Sequence, residues 1–196
     1  MSGPARRRAP ADKPAADRRA APRRPPNKGG APGPRIDGKR LGSMAHALIG
    51  ECLQAGIRAP TPAELITRAG RHTLAHDPRT VYRQAAKQAL LTTASVYFGW
   101  FAPPAEWILL GVEVPAPACR FDLLWQTPTG VVADELKSEV VPSLDALAGH
   151  EAQVARLLDA GHAMFPDAFQ GVRMIMLSAP MRSQFVTAPG RWEPLL

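Results

Sequence analysis

The sequence predicts an α/β fold, with N-terminal helices leading into a small mixed central sheet in the order α-β-β-β-α-β. Three observations carry that expectation. Apolar residues recur at helical spacing from Leu41 to about Phe101; strand-like runs separated by a tight turn follow from Trp107 to Ser138; and a second helical stretch leads into the unbroken apolar run "GVRMIMLSA". A chain of 196 residues accommodates one such domain and an appendage.

The appendage is residues 1–40. It contains twelve Lys and Arg against three Asp, eight prolines and almost no large apolar side chain. Such a segment cannot bury enough surface to offset its ordering entropy, so it is expected to be a disordered tail. Its charge would add non-specific affinity for nucleic acid by releasing counterions, although a merely solvated tail has the same composition. Residues 41–196 hold twelve basic and fourteen acidic side chains, so the basicity belongs to the tail.

Cys52 and Cys119 are too few for a disulfide framework, and no apolar run approaches the roughly 18 residues of a membrane span. The arginines near the N-terminus lack the apolar stretch of a secretory signal, and the prolines oppose the amphipathic helix of a transit peptide. The expectation is a cytoplasmic protein with no membrane partner.

In the body, "LGSMAHALIGECLQAG" sets Leu41, Ala45, Leu48, Ile49, Cys52 and Leu53 on one helical stripe ending at Gly56, with His46 at the stripe's edge. "TPAELITRAG" reads as a short helix with Thr61 as N-cap, Pro62 at N1, Glu64 at N3 and Gly70 as its end. A long third helix opens at Asp77 and Pro78. "WILLGVEV", "RFDLLWQT" and "VVADELKS" then read as strands, the last two joined by the turn "PTG", and imply an antiparallel meander. A helix capped by Ser143 and ended by Gly161 precedes the final strand.

The third strand raises the question of chemistry. Alternation puts Val131, Ala133, Glu135 and Lys137 on one side, so a face that begins apolar ends in a charged pair. If "PTG" closes a hairpin, Asp122 and Glu135 lie on neighbouring strands and can converge on one divalent cation. Lys137 lies about 6 to 7 Å beyond Glu135 on the same face. Two acids for a hard metal, and a cation to orient water and meet developing negative charge, are what phosphodiester hydrolysis needs. On residues alone, Glu135 and Lys137 are equally a surface pair and His46 an interfacial histidine. Glu113 is secondary, either assisting a metal or flanking it. Asp134 points away from Glu135, and His150 lies near Gln153. No phosphate-cradling glycine loop is present, which argues against a nucleotide-driven motor.

Taken together, "LGSMAHALIGECL", "RFDLLW", "ADELKS" and "GHEAQVARLL" resemble the PD-(D/E)xK nuclease superfamily, and within it the RecB-like nucleases of the CRISPR-adaptation and AddB type. The resemblance spans residues 41 to about 178. It implies a restriction-endonuclease-like core and a metal-dependent deoxyribonuclease, exonuclease-like, serving repair, recombination, mobile elements or defence. His46, Asp122, Glu135 and the backbone carbonyl of Leu136 would hold Mg²⁺ or Mn²⁺, with Lys137 and Gln153 completing the catalytic set. Implied partners are DNA and a protein such as a recombination or helicase component. Leu157 stands where the family motif has tyrosine, and two cysteines cannot build the iron–sulfur cluster of some members. The alternative is a catalytically inactive DNA-binding or scaffold protein on the same fold. Removing residues 1–40 should flatten the dependence of DNA affinity on salt, as read by fluorescence anisotropy; an unchanged slope would dismiss a DNA-binding role for the tail.

Overall fold

The computed structural model describes residues 37–76, 80–139 and 149–196, which all belong to the compact unit Pro34–Leu196. The first helix, α1 (Gly38–Gln54), begins where Asp37 accepts a hydrogen bond from the Lys39 backbone N–H. The boundary at residue 40 thus falls inside α1, and a tail truncation should end before Asp37. Gly56 has φ 74° just beyond the helix, where it and Ile57 donate back to Leu53 and Cys52, the closing pattern of a glycine-terminated helix.

The second helix, α2 (Pro62–His76), opens with the expected reciprocal cap: Thr61 N–H donates to Glu64 and Glu64 N–H donates to Thr61. It does not stop at Gly70, because one helical glycine costs only about 1 kcal/mol relative to alanine and packing can offset that. The third, α3 (Thr80–Val96), continues into a π-helical turn at Tyr97–Phe101. The caps expected at Asp77, Pro78 and Ser143 lie outside the described residues.

Six strands form one mixed sheet in the order of the chain: β1 (Ile108–Ala116), β2 (Cys119–Thr127), β3 (Gly130–Lys137), β4 (Phe169–Met176), β5 (Gln184–Ala188) and β6 (Arg191–Pro194). The first three are the expected antiparallel meander; β4 lies parallel to β3 after the crossover helix α4 (Glu151–Met164). Gly161 does not end α4. A Cβ there would lie 2.3 Å from the Phe169 ring, so the glycine lets helix and strand approach inside the helix. The sequence reading also missed β5 and β6, whose short stretches offer too little alternation to read as strands.

The sheet separates two cores. On one side α1, α2 and α3 pack onto Leu123, Trp125, Leu136, Ile175 and Leu177; on the other α4 packs onto Leu124, Ala133, Val172 and Met174. Burial on both faces explains the continuous apolar run of β4.

Within the helical core, β3 and β4 are pinned by an ion pair. Asp134 accepts two hydrogen bonds of 2.6 Å from Arg173, its partner in the parallel register, and further bonds from Trp125 at 3.0 Å and Tyr97 at 3.2 Å. Trp107 stacks on the guanidinium at 4.9 Å. Burial, reinforced by the charge of Asp134, pushes the Tyr97 hydroxyl well above its ordinary value, so it stays protonated and donates. Removing one partner would strand a buried charge. Arg173→Met is therefore expected to cost about 3–5 kcal/mol in urea unfolding, whereas a loss within about 0.5 kcal/mol would mean that the pair does not stabilise the sheet.

Candidate functional site

β2 and β3 form a fork. Their pairing runs from Thr127↔Gly130 to Leu123↔Asp134; beyond that point β2 pairs with β1, and residues 135–137 of β3 pair with β4. Asp122 stands in the opening and accepts the Leu136 backbone N–H at 2.8 Å. A carboxylate thus replaces the backbone acceptor that a continuing ladder would supply.

A cavity of about 770 Å³ occupies the fork, and His46, Asp122, Glu135, Leu136, Lys137 and Gln153 all line it. The structure therefore brings every site residue expected from the sequence to one place. His46 Nδ1 lies 3.3 Å from Asp122 Oδ1. The helix can approach so closely because Gly42 and Gly50, one turn to either side of His46, face Ser138 and Val112; a Cβ at either would come within 2.6 Å of those side chains. On β3, Lys137 donates to Glu135 at 2.8 Å and to Gln153 at 2.7 Å, while Gln153 donates to Glu135 at 2.6 Å. This closed triangle fixes the lysine and uses two of its three ammonium hydrogens.

The compact donor group differs in one member from the set implied by resemblance. His46, Asp122 and Glu113 offer ligand atoms within 4.8 Å of one another, whereas Glu135 Oε1 is taken by Lys137 and Gln153. Glu113 falls opposite Asp122, between the Val112↔Leu123 and Val114↔Phe121 pairs, just past a bulge in β1. Its φ of 54° is a left-handed conformation that costs a non-glycine residue on the order of 1–3 kcal/mol. Its Oε2 is buried and accepts no hydrogen bond among the described residues. That oxygen faces the Arg120 guanidinium in an ion pair, and a carboxylate so placed beside an imidazole and a second carboxylate offers ligands suited to a divalent cation.

Charge in the fork shifts two groups. Burial disfavours the His46 cation, but the hydrogen bond and charge of Asp122, aided by Glu135 and Glu113, outweigh it and hold the imidazole above 6.5. Burial, then repulsion from Asp122, pushes the Glu135 carboxyl above its ordinary range against the attraction of Lys137. Asp134 is on the other face in the Arg173 network, as alternation implies. His150 lines the cavity and pairs with Glu139 at 2.7 Å.

Lys39, Arg120 and Arg156 also line the cavity, and sequence reasoning missed them. Signals for all three exist. Lys39 precedes His46 by two helical turns, Arg156 follows Gln153 by about one, and Arg120 is on the strand of Asp122. No protein-family model and no curated protein matches this chain.

The raised His46 pKa favours the folded state at low pH, and that contribution is lost as pH rises through the folded-state value. An NMR titration of His46 should show a midpoint above 6.5, with a lower midpoint in Asp122→Asn. Equal midpoints in the two proteins would remove Asp122 as the cause.

Proposed function

We propose that the fork is the active site of a metal-dependent deoxyribonuclease with a PD-(D/E)xK, restriction-endonuclease-like core, exonuclease-like in action. The observation that carries this reading is the convergence of His46, Asp122, Glu135, Lys137 and Gln153, from four separate elements, on one cavity. Support for the core comes from an antiparallel meander followed by a helical crossover to a parallel strand.

His46, Asp122 and Glu113 would hold Mg²⁺ or Mn²⁺, with Glu135 and the Leu136 carbonyl at the edge of that group. A divalent cation bound there would supply Lewis acidity toward the scissile phosphate. Lys137, fixed by Glu135 and Gln153 at the cavity, keeps one ammonium hydrogen with which to orient water and meet developing negative charge. Glu135, whose affinity for a proton is raised by burial, accepts the proton of the attacking water. Attack at phosphorus forms one P–O bond and breaks another, and the departing oxygen takes a proton from solvent, leaving one phosphate end and one hydroxyl end. Lys39, Arg120 and Arg156 place positive charge on the cavity wall for the DNA backbone.

Leu157 is buried against the α4 core, where the resembling motif has tyrosine. DNA contact there would fall to the neighbouring Arg156. No helix among the described residues is long and apolar enough to cross a membrane. A protein partner such as a recombination or helicase component is compatible with so small a unit.

Incubation with linear, circular and single-stranded DNA plus Mn²⁺ or Mg²⁺ is expected to degrade linear DNA. Lys137→Ala and Asp122→Ala should each lower the rate by about 10²-fold or more. Wild-type protein that binds DNA and metal without cutting would support the inactive scaffold alternative, and mutants as active as wild type would place the chemistry elsewhere.

A further inference from the structure

Arg120 is on β2, two residues before Asp122, with its side chain 60% exposed at the cavity. Its guanidinium forms an ion pair with Glu113, the third member of the compact donor group. The pair joins the facing strands of the β1–β2 hairpin. The oxygen nearest the guanidinium, Glu113 Oε2, nevertheless accepts no hydrogen bond, so the contact is charge pairing without donor alignment. The arginine side of the pair is largely exposed, and an ion pair whose cation is solvated is weak and readily exchanged. A divalent cation held by His46, Asp122 and Glu113 would repel the guanidinium from the same carboxylate.

We propose that Arg120 is the exchangeable counter-ion of this site: it competes with a divalent cation for Glu113, and the cation's arrival releases its guanidinium to a backbone phosphate. Lys39 and Arg156, which line the same cavity, would also be available to that phosphate. Loading of the cation and grip on the strand are thereby coupled through one carboxylate, with Arg120 acting as a positioning residue. The cation half of this inference needs only that the fork binds metal; the phosphate half rests on the nuclease reading above.

The test uses the full chain. Mn²⁺ alone is titrated calorimetrically into wild type, Arg120→Gln and Arg120→Lys, with thermal melts confirming that each is folded. Arg120→Gln should bind Mn²⁺ roughly two- to fivefold more tightly, the range expected on removing an exposed competing charge, and Arg120→Lys should lie near wild type. A DNA duplex is then bound in a Lys137→Ala background, in which cleavage is slowed by about 10²-fold or more and the duplex stays intact over a binding measurement. Arg120→Gln should lower the salt slope of binding by about one with Mn²⁺ present and leave it unchanged without.

Equal or weaker Mn²⁺ binding by Arg120→Gln overturns the inference while leaving the nuclease reading intact. An equal loss of slope with and without Mn²⁺ overturns the release of the guanidinium. A wild-type protein that takes up no Mn²⁺ overturns both this inference and the metal-dependent nuclease reading.

Discussion

The Asp134–Arg173 ion pair is the contact on which the geometry of the fork depends. Strand side chains alternate, so a one-residue slip of β3 would turn Glu135 and Lys137 into the helical core and bring Asp134 to the cavity. The buried bidentate pair opposes that slip, because Arg173 matches Asp134 in register and Trp125 and Tyr97 donate to the Asp134 carboxylate where it stands. Two adjacent acids on one strand thus have opposite roles. Asp134 is spent on fixing the strand, and Glu135 faces the cavity as a result.

The second constraint is the separation of β2 from β3. An uninterrupted ladder would consume the Leu136 N–H and close the space in which Asp122 stands. Because the strands part there, α1 from one layer and α4 from the other both reach the opening: the first brings His46 and the second Gln153. The glycines on either side of His46 make the first approach possible, since side chains there would hold α1 away from the sheet. Backbone strain at Glu113 is confined to the same place, and it turns a carboxylate from an edge strand toward His46 and Asp122.

Much of this was legible in the sequence. The Thr61–Glu64 cap, the meander and the helical crossover follow from local periodicity and turn residues, which act over a few positions. His46, Asp122, Glu135, Lys137 and Gln153 could be gathered because each sits on a motif in the expected order. The weight of Glu113 is hidden in the sequence because its position depends on a bulge and a left-handed backbone, neither of which composition reveals. Gly70 and Gly161 look like helix ends in the sequence, but α2 runs through Gly70 and at Gly161 the missing side chain serves close approach to Phe169 rather than termination. Lys39, Gly42, His46 and Gly50 do share a helical face in the sequence. Without the sheet beneath it, nothing distinguished that face from the apolar stripe beside it.

The proposed divalent-cation centre of His46, Asp122 and Glu113 can be seen by diffraction at the manganese absorption edge from crystals soaked in Mn²⁺. One strong anomalous peak is expected in the cavity, with His46, Asp122 and Glu113 in its inner coordination sphere. A cavity without a peak, or an ion whose ligands exclude His46 and Asp122, would contradict the proposal.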